Sequence, residues 1–287
     1  MSTSLSPAEV ARFQEEGFLA PLDALAPAEV AGLRQDIEAF GRRHGVKEAL
    51  ILRNKAHLKM PGLLPVVQDA RILDAVEGIL GPDILCWGSS FFIKEPGGSE
   101  FVAWHQDSYY WDMAPADVCV VWVALAPSTL ENGAMRVVPG SHKAPAQPHH
   151  ASESGSGNML FTYEEIAVEV DEALSVPCLL APGQMSIHHM AIIHGSGRNN
   201  AHDRRIGYSI TYLAPHVRHS GKRGSAILVR GADRFGHFRP DPVATREMDP
   251  EICAFIDAPY GGNLPAALRA ERPSQDFYRE TAATPPA

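Results

Sequence analysis

What the chain lacks narrows it first. Its 287 residues hold only four cysteines (Cys86, Cys119, Cys178 and Cys253), widely spaced and without a C-x-x-C pair. That argues against a disulfide framework and a cysteine-built zinc module, and points to reduced, buried thiols in a cytoplasmic setting. No apolar run reaches the length of a membrane span. The opening "MSTSLSPAEV" has neither the basic nor the apolar region of a secretion signal. Positive charge is scarce: 25 Lys and Arg stand against 34 Asp and Glu, for a net charge of −9 and a pI of about 5.8. Nucleic acid and anionic membrane are therefore poor partners. There is no G-x-G-x-x-G after a strand and no G-x-S-x-G elbow, which leaves a dinucleotide fold or a serine hydrolase without support.

What is present reads as one globular unit with two grammars. Hydrophobic residues make up 45% and charged residues 21%, an ordinary soluble balance. The first eighty residues look helical. "SPAEVARFQEEGF" offers Ser6 as cap, Pro7 at the first position, Glu9 closing a capping box and Gly17 as a stop. "PAEVAGLRQDIEAFGRRHG" puts Val30, Leu33, Ile37 and Phe40 on one stripe, and "DARILDAVEGILG" aligns Ile72, Val76 and Leu80. From residue 83 onward short strands follow one another without interleaved helices. They include "DILCWGSSFFIKE", "FVAWHQD", "VCVVWVALAP", "QMSIHHMAIIHGS" and "RRIGYSITYLAP", separated by Gly, Pro and Asn. This is the pattern of a sandwich or barrel. The expected division is a helical part over 1–82 packing on a barrel over 83–270, with a lid-like polar insertion near 144–165. A loose tail would follow over 271–287, the whole forming one structural domain.

The chemistry concentrates in "WHQDSYYW". His105 and Asp107 are two residues apart, and on a strand would share a face. Alone the pair is weak evidence, since a polar strand edge looks the same. A third ligand is offered by His194 in "IIHGSGRNN", read as closing a strand before a glycine-rich turn. Two histidines and one carboxylate on one side of a metal leave positions open, the arrangement of non-haem Fe(II) oxygenases. Arg205 follows eleven residues later. If its strand is a hairpin neighbour of the His194 strand, its guanidinium lies in the barrel, where it needs an anion. Alternation sends one of Arg204 and Arg205 inward, and spacing does not say which. Ser196 offers a hydroxyl to the same anion.

Together the stretches "FQEEGFL", "ILGPDIL", "WHQDSYYW", "LENGAMRVVPGSH", "APGQMSIHH" and "HGSGRNNAHDRRIGYSITYL" resemble the phytanoyl-CoA dioxygenase family of Fe(II)/2-oxoglutarate oxygenases. The resemblance implies a mainly β fold with N-terminal helices: a double-stranded β-helix, the cupin-like jelly-roll barrel. It implies Fe(II), 2-oxoglutarate and O2 as cofactors, with His105, Asp107 and His194 as iron ligands. It further implies that Arg205 and Ser196 hold the far carboxylate of 2-oxoglutarate and that Trp122 lines its pocket. A basic residue before the third helix also contributes in the family, and Arg53, Lys55 and Lys59 compete for that place. Asp107 favours hydroxylation over halogenation, because related halogenases lack this carboxylate. The expected substrate is a small, polar metabolite or natural-product intermediate, met by Tyr109, Trp111 and His188, and the expected assembly is a monomer or homodimer. His142 reads as a turn element, and His149 and His150 as solvated. Two rivals remain: a Zn or Mn jelly-roll hydrolase or isomerase, and a barrel that binds without catalysing.

Overall fold

Alternation along the central strands builds the molecule. In strand β12 (Arg205–Leu213), Ile206, Tyr208, Ile210 and Tyr212 point to one face and join an apolar core, while Arg205, Ser209 and Thr211 point to the other and line a cavity. In this computed structural model, residues 4–45, 47–151, 157–160, 164–220 and 224–257 are described. The tail over 271–287 and part of the 144–165 insertion lie outside them.

The chain begins with α1 (Pro7–Glu16), capped as the sequence predicts: Ser6 Oγ accepts from the Glu9 amide at 3.3 Å and the Ser6 amide donates to the Glu9 carboxylate at 2.7 Å. Then come β1 (Phe18–Asp23), α2 (Pro27–His44), the short helices α3 (Glu48–Ile51), α4 (Ala56–Lys59) and α5 (Leu64–Val67), and α6 (Ala70–Leu80). Strand β1 corrects the all-helical reading of the first eighty residues. Its Phe18 and Leu19 are buried against the strand over Gln184–His189, and its Pro21 is tolerated because β1 lies at a sheet edge.

The strands continue with β2 (Ile84–Lys94), β3 (Val102–His105), the helix α7 (Ser108–Trp111), β4 (Met113–Ala114), β5 (Val118–Ala124) and β6 (Met135–Val137). Beyond the 140s lie β7 (His149–Ala151), β8 (Glu164–Ile166), β9 (Val176–Pro177), β10 (Gln184–His189), β11 (His194–Ser196) and β12 (Arg205–Leu213). The described chain closes with β13 (Arg218–His219), β14 (Ser225–Arg230), β15 (Arg239–Pro240) and the helix α8 (Pro250–Asp257). A seven-stranded sheet, ordered β1-β10-β5-β12-β2-β14-β15, and a four-stranded sheet, β3-β11-β6-β9, make a double-stranded β-helix, or jelly roll.

The helices cover the outer face of the large sheet. Val30, Ile37, Phe40, Ile72 and Val76 meet strand residues such as Phe91, Val121, Ile187 and Ile210 there, all buried. Each such side chain contributes roughly 1.5–3 kcal/mol by leaving water. The inner face is therefore left for chemistry, between the two sheets. Among the described residues, no helix is long and apolar enough to cross a membrane.

Candidate metal centre and co-substrate pocket

His105 and His194 meet because β3 and β11 pair antiparallel with these two residues in direct register. Cross-strand partners present their side chains on one face, and the two imidazole centroids are 4.1 Å apart. This corrects two expectations. His194 opens its strand rather than closing one, because the 190–193 turn breaks the "QMSIHHMAIIHGS" run in two. And β11 is not a hairpin neighbour of β12: they belong to different sheets.

Asp107 is not on the strand either. The chain leaves β3 after His105 and turns at once into α7, so Asp107 has helical backbone angles (φ −58°, ψ −35°). Its neighbours hold that turn. The Gln106 side chain donates to the Ala191 carbonyl at 2.7 Å and accepts from the Gln147 amide at 2.8 Å, while the Ser108 amide donates to the Met190 carbonyl at 2.9 Å. The carboxylate is thereby brought back to the histidines: Oδ1 lies 3.4 Å from His105 Nε2 and Oδ2 lies 3.9 Å from His194 Nε2. One ligand atom from each of the three residues lies within 4.8 Å of the others, close enough to share a metal ion.

The histidines are also held in the right orientation. His105 Nδ1 bonds the Ala103 carbonyl at 2.9 Å and His194 Nδ1 bonds the Ile192 carbonyl at 3.1 Å. A carbonyl only accepts, so each Nδ1 carries a proton and each Nε2 is the atom left to face a metal. Burial, with the charge of His105 next, pushes His194 well below its ordinary pKa and so keeps it neutral. For Asp107 burial works to raise the pKa, but the surrounding imidazoles of His105, His188 and His194 win and hold it well below the carboxylate range. Two imidazole nitrogens and one carboxylate oxygen suit a ferrous ion.

The centre opens on a cavity of about 220 Å³. Arg205 reaches into it, 2% exposed, and its Nε and Nη1 find no hydrogen-bond acceptor among the described residues. Such a guanidinium calls for an anion, and burial pushes its pKa down to about 10. Its Cζ lies 4.6 Å from the Trp122 ring centroid. Ser196 and Trp122 line the same cavity. Arg204 takes the other side of the strand, in ion pairs at 2.7 Å with Glu48 and Glu95. The alternation left open by spacing is thus resolved.

Of the three basic candidates before the third helix, only Arg53 lines the cavity, its guanidinium 5.1 Å from the Phe92 ring centroid. Lys55 is fully buried elsewhere, bonded to Asp241 at 2.8 Å and to the carbonyls of Trp87 and Ser225 at 2.9 and 3.1 Å. Lys59 donates to the Ile51 carbonyl at 2.9 Å. Trp111 and His188 reach the cavity, but Tyr109 does not: its ring stacks on His149 at 3.9 Å, and Tyr110 lines the wall instead. That stack also removes His149 from the solvated class, whereas His150 is exposed beside Glu165 at 3.5 Å. His142 bonds the Gln14 carbonyl at 3.2 Å against the Gly17 turn, a structural role. Lys94, Gln106 and Asp241 were not singled out by sequence. A lysine inside an otherwise apolar strand, "FFIKE", was the available signal for the first.

The model of the phytanoyl-CoA dioxygenase family matches residues 13–207. The chain belongs to that family. A Stutzerimonas stutzeri protein named "Probable alpha-ketoglutarate-dependent hypophosphite dioxygenase" is 30% identical over 190 residues, 64% of this chain and 65% of that one. Peroxisomal phytanoyl-CoA dioxygenase of Bos taurus is 24% identical over 75% of this chain and 70% of its own. Among solved structures, the apo form of the non-heme monooxygenase ThoJ superposes with a TM-score of 0.75 and 36% identity, covering 85% of this chain and 91% of ThoJ. With the His-Asp-His cluster in place, the protein is an Fe(II)- and 2-oxoglutarate-dependent oxygenase.

Proposed function

We propose that the protein hydroxylates a small, polar metabolite or natural-product intermediate, with release of succinate and CO2. In this reading His105, Asp107 and His194 hold the iron. Arg205, Ser196 and Trp122 hold the co-substrate, and His188 and Trp111 face the substrate. When bound, the ferrous ion supplies activation of O2 coupled to oxidative decarboxylation of 2-oxoglutarate. The chain's own residues bind, orient and exclude water. Arg205 offers a planar fork to a carboxylate, its Nε and Nη1 having no acceptor among the described residues. Trp87 and Trp111, with ring centroids 5.2 Å apart, give the cavity an apolar wall.

The observation that carries the reading is the pairing, in one cavity, of an open three-ligand cluster with a buried arginine whose Nε and Nη1 have no partner among the described residues. A hydrolase or isomerase using the same ligands has no need of Arg205. Asp107 occupies the position that halogenation leaves vacant for halide, which favours hydroxylation. The cavity, at about 220 Å³, is smaller than the ~300–1,000 Å³ of sites for drug-sized ligands. It suits a small molecule, and the Stutzerimonas stutzeri relative is named for one, as a probable hypophosphite dioxygenase. His188 supports a polar substrate: it is 2% exposed, lines the cavity, and neither ring nitrogen has a hydrogen-bond partner among the described residues. Its Nε2 stands 3.7 Å from Asp107 Oδ2, too far for a hydrogen bond.

A substrate screen read by succinate release tests the proposal. Succinate formation that needs Fe(II) and 2-oxoglutarate and rises with one compound, matched by its hydroxylated product, is the expected result. Turnover of a substrate with Zn or Mn alone, and no succinate, would replace it with the hydrolase or isomerase reading.

A further inference from the structure

Where Arg205 and Ser196 line the cavity, a second basic side chain stands behind them. Lys94 of β2 and Arg205 of β12 are direct register partners, and both are buried, Lys94 with 0% exposure. Lys94 Nζ lies 2.6 Å from Ser196 Oγ and 3.3 Å from the Ser196 carbonyl, and also bonds the Gly197 carbonyl. The backbone of Lys94 is fixed too, its carbonyl accepting from the Asn199 side chain at 3.0 Å. Lys94 thus clasps the 196–199 loop onto β2, directly behind the cavity wall formed by Ser196.

With three oxygens around it, Nζ has an acceptor for every proton of an ammonium. Burial opposes that charge most, and the neighbouring Arg205 next, pushing the lysine down to about 6, while Glu100 offsets part of this. An anion placed against Arg205 relieves both cations at once. The lysine is then charged and donates to Ser196 Oγ, so the serine's own proton is left to point into the cavity. We propose that Lys94 is a positioning residue for the far carboxylate of 2-oxoglutarate: by clasping Ser196 it aims the serine hydroxyl at that carboxylate, and so makes this end of the cavity select a dicarboxylic 2-oxo acid over a monocarboxylic one. This rests on the reading of the site as a 2-oxoglutarate site.

The test is equilibrium binding to the anaerobic Fe(II)-loaded protein, followed by tryptophan emission, since Trp122 lies over Arg205, and by calorimetry. The ligands are 2-oxoglutarate and 2-oxopentanoate, which has the same chain length and no second carboxylate. Lys94→Met is expected to weaken 2-oxoglutarate about tenfold, the loss of one hydrogen bond to a charged group, and to leave 2-oxopentanoate unchanged. Ser196→Ala should give a similar loss, and the double variant little more than either single one, because the two act as one unit. An unchanged dissociation constant in Lys94→Met, equal weakening of both acids, or full additivity in the double variant overturns the role. If Lys94→Met does not fold, Ser196→Ala decides alone: undiminished discrimination leaves Lys94 nothing to act through. A wild-type protein that binds neither acid overturns the 2-oxoglutarate reading itself.

Discussion

Arg205 and Trp122 form one unit, the guanidinium carbon 4.6 Å from the indole centroid, and Gly207 makes room for it. Gly207 lies two residues along the same face of β12, and a Cβ there would fall 1.7 Å from Trp122 Cζ2. The indole must therefore move if Gly207 gains a side chain, and the floor under Arg205 moves with it.

Gly207→Ala should accordingly weaken 2-oxoglutarate by about tenfold or more, a loss of ~1.4 kcal/mol, measured by anaerobic titration. Unchanged binding would mean that the indole does not support the arginine.

Replacing Arg205 itself has two expected effects of opposite sign. Arg205→Met should weaken 2-oxoglutarate about thirtyfold or more, the lower end of the ~2–5 kcal/mol for truncating a buried charge partner. The same change should leave the melting temperature of the co-substrate-free protein unchanged or raise it, because it removes a buried guanidinium whose Nε and Nη1 have no acceptor among the described residues. Arg204→Ala, which removes the ion pairs with Glu48 and Glu95 on the other face, should leave 2-oxoglutarate binding unchanged.

His105→Ala, Asp107→Ala and His194→Ala should each abolish iron-dependent turnover and leave the fold near intact. Metal content per chain should fall in all three. In the wild type a metal at a hundredfold excess over its dissociation constant adds ~2.7 kcal/mol. Chelation should therefore lower the melting temperature of the wild type and leave that of the variants where it was.

His188→Phe should change substrate binding without touching the metal or the co-substrate. The expected result is a raised KM for the screened substrate, with the 2-oxoglutarate dissociation constant and iron content unchanged. A loss of bound iron would instead make His188 part of the metal site.

Acid should destabilise the protein partly through His189. Burial, with His142 next, pushes its imidazole down to about 4. A histidine lowered from an ordinary ~6.5 binds fewer protons folded than unfolded between those values, so stability falls as pH drops through that window and levels off below it. His189→Phe should flatten the decline in melting temperature between roughly pH 6.5 and pH 4. A decline of the same depth would assign it to other groups.

Much of this was written in local pattern. The capping box of α1, the apolar stripes of α2 and α6, and the strands β2, β5 and β12 could be read directly, because caps and periodicity are properties of a few adjacent residues. Strand β1 could not, since "FLAPLD" becomes a strand only by pairing with β10, far along the chain. The turn that takes Asp107 off its strand was hidden for the same reason: it is held by Gln106 and Ser108 reaching the 190–191 turn.

The sequence by itself determined which side chains are available: two histidines, one aspartate and an arginine of the types an open iron site and a carboxylate require. Tertiary structure decided which of the competing neighbours took each place. It turned Arg205 inward and Arg204 out, sent Lys55 to Asp241 and left Arg53 at the cavity, and chose Tyr110 over Tyr109. The reason is that alternation fixes only that neighbours differ. Which face becomes the interior depends on what the other sheet and the helices cover.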